Sequence, residues 1–211
     1  GMVRDSLGNL YVADGSNHVI RKIDPVTAAV TTFAGTTGVT GFVNATGTAA
    51  KFNRPCGLAI DAQNNIYVAD ASNFVIRKID PSGVVTTFAG AGTAGSANGA
   101  VGSATFNSPT DMAITPTGVM YVADQVNHVI RKIENGQVTT IAGLAGTSGN
   151  VDGTGSAARF NQPSWVTLAP DGTLLIRDGM NSANIRRLDP VTGVVTTFAA
   201  GSASLYSGVG V

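Results

Sequence analysis

The amino-acid sequence predicts an all-β fold assembled from repeated units of four short strands, and three observations lead to this prediction. The composition is typical of strands joined by many turns, with 27 Gly among 211 residues and only 12% of them charged. Gly, Ser and Thr favour turns, whereas Val and Thr favour strands. A set of short motifs recurs along the whole chain, and no apolar pattern of helical period reaches the length of a helix.

The repeat is clearest in the segment Tyr-Val-Ala-Asp, which ends at Asp14, Asp70 and Asp124 and returns in a looser form ending at Asp178. These positions lie roughly 54 residues apart, a period within the range of propeller and solenoid repeats. In the second copy, residues 57–60, 66–69, 75–79 and 84–89 suit strands, and turn-forming residues separate them. Four antiparallel strands in each period are typical of a β-propeller blade.

The sequence therefore predicts one β-propeller region over residues 1–211 that contains four blades. The predicted blades are residues 1–35, 57–90, 111–143 and 165–199, joined by long Gly-rich loops without secondary structure of their own. Each blade buries both faces against its neighbours, which explains apolar runs that do not alternate cleanly.

Two three-residue segments, Asn17-His18-Val19 and Asn127-His128-Val129, each precede Ile-Arg-Lys. They resemble the Asn-His-Leu signature of the NHL repeat, and Phe-x-x-Pro and Asp-Pro-x-x-Gly segments belong to the same pattern. Phe74 replaces the histidine in the second copy, and the fourth copy departs further. The resemblance implies a six-bladed propeller, of which this chain supplies four consecutive blades. A closed four-bladed ring, or an open arc that associates with a second chain through its open blade faces, are the alternatives.

Composition and charge argue against several classes of partner. Lys plus Arg and Asp plus Glu both number 13, so the net charge is zero, whereas nucleic-acid-binding domains are usually basic. No apolar stretch approaches the length of a membrane span. Cys56 is the only cysteine and has no partner for an intramolecular disulfide. Few charges and abundant Thr, Ser and Gly are typical of a secreted bacterial protein, so we expect an extracellular or periplasmic location.

Most charged residues recur in every copy, which indicates a structural role. We expect the turn carboxylates to accept hydrogen bonds from turn amides, and one residue of each pair of adjacent basic residues to reach a strand-ending Asp. His18 and His128 occupy one repeat position two blades apart, so they cannot assemble a usual zinc site. No nucleophile-base arrangement or phosphate loop is present. We predict no catalytic residue, no metal and no cofactor.

Residues that break the repeat are the candidates for function. Those predicted to form a ligand or partner face are Trp165, Asp111, Arg54, Arg177, Cys56, Asp152 and Met180. Asp111 and Trp165 replace Gly57 where the chain enters the first strand of a blade, expected at the mouth of the central channel. Trp165 would be an apolar anchor, and Asp111, Arg54 and Arg177 would give polar discrimination. The structural alternative is that Trp165 fills a core gap and Asp111 caps a turn.

The resemblance to the NHL family implies several functions, because its members include extracellular sensors, protein- and RNA-binding domains and a peptide-amidating lyase. The lyase class relies on a metal held by channel histidines, and both histidines here belong to the repeat. The leading prediction is a non-enzymatic binding or scaffolding module for a protein, peptide or glycan. One alternative is a lyase or hydrolase with catalytic residues partly outside this chain. Another is a structural subunit of an extracellular assembly.

Overall fold

A computed structural model describes residues 1–179 and 184–200. It contains four antiparallel sheets, each built around four strands that are consecutive in the sequence. The predicted all-β fold built from four-stranded antiparallel sheets is confirmed.

The strands keep the same order in every blade. Blade 1 contains β1 (Met2–Arg4), β2 (Leu10–Asp14), β3 (Val19–Ile23) and β4 (Val30–Ala34). Blade 2 contains β5 (Pro55–Ile60), β6 (Ile66–Asp70), β7 (Val75–Ile79) and β8 (Val85–Ala89). Blade 3 contains β9 (Gly99–Ala100), β10 (Pro109–Ile114), β11 (Met120–Asp124), β12 (Val129–Glu134) and β13 (Gln137–Ala142). Blade 4 contains β14 (Gly153–Thr154), β15 (Pro163–Leu168), β16 (Leu174–Asp178), β17 (Asn184–Leu188) and β18 (Val194–Ala199).

The long connections differ from the prediction because they contain secondary structure. The two-residue strands β9 and β14 pair with β13 and β18 and give blades 3 and 4 a fifth strand. Short 3₁₀ turns also occur in two of these connections, at Gly47–Ala49 and Gly155–Ala157, and after β2 and β6, at Gly15–Asn17 and Ala71–Asn73. In blades 2 to 4 the first strand begins two residues earlier than predicted, at a proline.

The hydrophobic core lies between consecutive blades. Alternate residues of each strand point to opposite faces of the sheet, so one face packs on the preceding blade and the other on the next. Between blades 2 and 3, the buried residues include Tyr67, Ala69, Ile76, Met112, Met120, Val122 and Ile133. Equivalent clusters fill the junctions between blades 1 and 2 and between blades 3 and 4.

The described part of the chain is an open arc. Met2 on the outer face of blade 1 is 63% exposed, whereas Leu58 at the same repeat position in blade 2 is 6% exposed. Phe198 on the outer face of blade 4 is 60% exposed. A closed four-bladed ring would cover both faces, so that alternative is wrong for this structure. The blade number of the complete ring stays a prediction.

Across residues 1–179 and 184–200, no helix has the length and apolar character needed to cross a membrane.

Candidate functional site

The strand-ending aspartates are held in a buried hydrogen-bond network, shown best in blade 2. Asp70 accepts a hydrogen bond at Oδ1 from the backbone N–H of Asn53 at 2.7 Å. Its Oδ2 accepts from the side chain of Asn73 at 2.8 Å and from Arg77 Nη1 at 2.9 Å. Asp124 has the equivalent three partners, and Asp178 accepts from the Asn161 N–H and from Arg186 Nη1. The prediction that one basic residue of each pair reaches this Asp is confirmed, and the asparagine of the repeat signature joins the same network.

The same arginine holds the long connection that precedes its blade. Arg77 donates to the carbonyl oxygens of Lys51 at 3.1 Å and Val43 at 2.9 Å, and to Asn44 Oδ1 at 2.6 Å. The Phe52 ring packs on its guanidinium, with 5.1 Å between the guanidinium carbon and the ring centroid. Arg131 and Arg186 hold the next two connections in the same way. A buried arginine therefore holds each of these three long connections in place through hydrogen bonds.

The hydrogen bonds of Arg186 explain the structural role of Asp152. Its Oδ1 accepts from Arg186 at 2.8 Å and from the Thr197 hydroxyl at 3.0 Å, and its Oδ2 accepts from the Thr197 N–H. Asp152 does not line the groove described below, so it is separated from the other candidates. The equivalent residues in the two preceding connections are Asn44 and Asn98, which accept from Arg77 and Arg131. Asn and Asp share only a side-chain oxygen that can accept a hydrogen bond, and this position lies about 33 residues before the arginine. Sequence comparison within the chain therefore did not identify Asp152 as part of the repeat.

Both histidines connect one blade to the next. His18 and His128 adopt left-handed conformations, with φ of 60° at each. His18 Nδ1 accepts from the Arg54 N–H at 3.1 Å, and His128 Nδ1 accepts from the Gln162 N–H at 3.0 Å. Burial lowers the pKa of His128, and the nearby Asp178 carboxylate opposes this effect. Each histidine ring therefore bonds to the backbone that leads into the next blade, so a structural role in the repeat explains both residues.

Four of the predicted site residues lie together in one groove of about 960 Å³ on the concave side of the arc. The innermost strands β1, β5, β10 and β15 form its walls, and Arg54, Cys56, Asp111 and Trp165 line it. All four lie within two residues of the proline that begins the first strand of blade 2, 3 or 4, which brings them together. Arg177 lies beside the groove, because it is the cross-strand partner of Trp165 in the register of β15 and β16. Met180 falls outside the described residues.

Trp165 presents its side chain to solvent. It is 44% exposed in the part of the chain that the structure describes, and the alternative that it fills a gap in the core stays a prediction. Its neighbour Ser164 accepts a hydrogen bond at Oγ from Arg177 Nη1 at 2.9 Å. An exposed indole with a guanidinium and a hydroxyl beside it can stack on a flat apolar group and hydrogen-bond polar groups at its edge.

Asp111 joins two blades. Its side chain is buried, with 8% of the residue exposed, and its Oδ2 accepts from the Val166 N–H of blade 4 at 3.1 Å. This contact crosses between blades, so the alternative that Asp111 caps a turn is wrong. Burial raises the pKa of the Asp111 carboxyl to about 6, and hydrogen bonds from the backbone N–H groups of Val166 and Met112 limit the rise.

This shift predicts a pH-dependent effect of Asp111→Asn. The pKa of the carboxyl is about 6 in the folded state and near 3.9 in the unfolded state, so the folded state binds the proton more tightly. Its contribution to the free energy of unfolding is complete below about pH 4 and is lost as the pH rises through about 6. Asparagine can still accept from Val166 without carrying charge. We expect the variant to be more stable than the parent at pH 7.5, by roughly 1–3 kcal/mol, and equal to it near pH 4. Urea unfolding at both pH values measures this difference, and a loss of stability that is the same at both would contradict it.

The described residues contain no group of three or more His, Cys, Asp or Glu side chains arranged to hold a metal ion.

No protein-family model matches this sequence. The chain is 34% identical over 206 residues to the Arabidopsis thaliana chloroplastic protein SUPPRESSOR OF QUENCHING 1, covering 93% of this chain and 19% of that protein. It is 40% identical over 82 residues to human NHL repeat-containing protein 2, covering 38% of this chain and 11% of that protein. The chain thus spans a fifth or less of the length of these relatives.

Two solved structures have the same fold. A protein of unknown function from Bacteroides thetaiotaomicron superposes with a TM-score of 0.73 at 26% identity, over 88% of this chain and 46% of that one. Virginiamycin B lyase from Staphylococcus aureus superposes with a TM-score of 0.60 at 14% identity, over 94% of this chain and 54% of that one. The repeat motifs, the four antiparallel blades and these relatives agree. The chain belongs to the NHL-repeat β-propeller family.

Proposed function

We propose that this chain is a non-enzymatic binding module whose groove holds a partner protein, peptide or glycan. The observation that carries the proposal is the exposed indole of Trp165, which lines the same groove as Arg54, Cys56 and Asp111. An aromatic anchor with a few convergent polar groups in a concave surface is the usual composition of a binding site.

The hydrogen bonds of the recurring carboxylates support a binding function over catalysis. The strand-ending carboxylates are bonded to arginine, as Asp70 is to Arg77. Turn carboxylates accept turn amides, as Asp61 does from the N–H groups of Gln63 and Asn65. A general acid or base needs a proton-transfer partner within reach of a substrate, and these groups already bond within the repeat. The composition supports an extracellular or periplasmic location for such a module.

A ligand screen tests the proposal. The chain would be applied to a glycan array and to a phage-displayed random-peptide library, and the affinity of each ligand found would be measured by calorimetry. We expect Trp165→Ala and Arg54→Gln to weaken binding by roughly tenfold or more, as groove contacts that carry binding energy do. Gln63→Ala, in the exposed turn between β5 and β6, is the matched control and should leave affinity unchanged. Ligands that are insensitive to both groove variants would refute the proposal.

Two further functions are supported by single observations. The fold likeness to virginiamycin B lyase supports a lyase or hydrolase whose catalytic residues lie partly outside this chain. Calorimetric titration with divalent metals distinguishes it, since one ion bound tightly in the groove would favour the enzyme.

The exposed outer faces of blades 1 and 4 support a structural subunit that associates through them. Sedimentation velocity on the isolated chain distinguishes this case by a concentration-dependent increase in mass.

A further inference from the structure

Each blade has one pair of residues, here named the junction pair, on its two innermost strands at the channel end. The pair is Asp111 and Ala123 in blade 3, and Trp165 and Arg177 in blade 4, which lie directly opposite each other across the strands. The equivalent residues are Gly1 and Ala13 in blade 1, and Gly57 and Ala69 in blade 2. The pair is Gly and Ala in blades 1 and 2, Asp and Ala in blade 3, and two large side chains in blade 4.

The junction pair faces the next blade at very short range. A Cβ atom placed on Gly57 would lie 2.5 Å from Asp111 Cα and 2.7 Å from the Thr110 carbonyl oxygen. A Cβ on Gly1 would likewise lie 2.8 Å from Gly57 Cα. Ala69 is fully buried in the core between blades 2 and 3. Small residues at this pair therefore allow the innermost strand of the following blade to approach closely.

Blade 3 shows how much the junction tolerates. Its pair contains a carboxylate in place of glycine, and that carboxylate fits because Val166 of blade 4 donates a backbone N–H to it. The partner Ala123 stays fully buried against blade 4. One short, satisfied polar side chain is thus accommodated between two closely packed blades.

The pair of blade 4 does not fit that arrangement. An indole at Trp165 and a guanidinium at Arg177 would occupy the space through which the innermost strand of a following blade would run. Interiors packed at crystal-like density cannot absorb two large side chains at a backbone contact. In the described residues this pair instead leaves the Trp165 side chain exposed in the groove.

We propose that this face of blade 4 is a saccharide-binding site walled by Trp165 and Arg177, an inference that rests on the proposed binding function. A pyranose ring has one flat apolar face and a rim of hydroxyl groups. Trp165 supplies a flat apolar surface, and Arg177, the Ser164 hydroxyl and Thr167 on the same strand supply polar contacts at its edge. A peptide anchor would instead need an enclosed apolar pocket, and the indole here is bordered by polar side chains.

The single tryptophan of the sequence provides a direct readout. Neutral gluco-, galacto- and manno-configured oligosaccharides would be titrated against the chain while Trp165 emission and acrylamide quenching are recorded. For at least one configuration we expect a blue shift and a clear fall in quenching. Calorimetry should then show a loss of affinity of roughly tenfold or more in Trp165→Ala and in Arg177→Lys. Phe198→Ala, an exposed apolar residue elsewhere on the outer face of blade 4, should bind as the parent does.

The outcomes separate this inference from the proposed function. Ligands that depend on Arg54 but are insensitive to Trp165→Ala and Arg177→Lys would overturn the saccharide site and leave the binding module intact. Selected peptides that need Trp165, with no response to any oligosaccharide, would also overturn it. If neither glycans nor peptides bind, both proposals fail. Unchanged melting temperatures of the variants would show that a loss of affinity is not a loss of fold.

Discussion

Replacing Arg131 by alanine is expected to lower the free energy of unfolding by about 3–5 kcal/mol, because it leaves a buried carboxylate without its cation. Arg131 and Asp124 are both fully buried and lie 2.9 Å apart. Arg131 also donates to the carbonyl oxygens of Thr105 and Ala97 and to Asn98 Oδ1, so the variant releases the connection before blade 3. Urea unfolding followed by circular dichroism measures the loss.

The repeat supplies a matched control in blade 1. Arg21 pairs with Asp14 at 3.2 Å, but its side chain is 29% exposed and that of Asp14 is 26% exposed. Ion pairs that solvent screens contribute roughly 0–1 kcal/mol, so Arg21→Ala should cost about 1 kcal/mol or less. Equal losses for Arg21→Ala and Arg131→Ala would show that the network does not depend on burial and would contradict the interpretation.

The penalty of Arg131→Ala should also depend on pH. Burial raises the pKa of the Asp124 carboxyl, while hydrogen bonds from Asn107, Asn127 and Arg131 oppose the rise. Without the arginine the carboxyl can enter the folded state protonated, and a raised folded-state pKa favours folding as pH falls. We therefore expect a smaller difference between variant and parent at pH 5 than at pH 8.

A second large effect is expected for Gly57→Ala, at about 3 kcal/mol or more, since the added methyl group meets backbone atoms. Its Cβ would lie within 3 Å of Asp111 Cα and of the Thr110 carbonyl oxygen, and neither can move without displacing strand β10. The variant should open the junction between blades 2 and 3. A lower midpoint of urea unfolding measures the loss, and faster amide exchange in β5 and β10 would locate it.

Gly102→Ala is the control for this substitution. A Cβ on Gly102 meets no atom within 4 Å, and its backbone φ lies outside the left-handed region. Surface changes without such contacts usually alter stability by less than about 0.5 kcal/mol. A tolerated Gly57→Ala, with stability close to that of Gly102→Ala, would mean that the blades are less closely packed at this junction than the structure shows.

Several features were predictable from the sequence because they repeat. The motif that ends at Asp70 marks a strand end in each blade, and its spacing indicates the number of blades. The pairing of that Asp with one basic residue of the next strand also followed from the repeat, as did the structural role of His18 and His128. A residue that recurs in every unit has the same neighbours in every unit, so comparison within one chain identifies its role.

The sequence by itself determined the strand order, the four blades and the set of positions that depart from the repeat, because local periodicity and turn chemistry act over a few residues. Only the tertiary structure decided what those departures do. The buried Asp111 carboxylate accepts a hydrogen bond from Val166 of the next blade, and Asp152 accepts one from Arg186. Trp165 is exposed. The Asp111 contact joins residues 55 positions apart and the Asp152 contact joins residues 34 positions apart, and only packing of the folded chain brings such residues together.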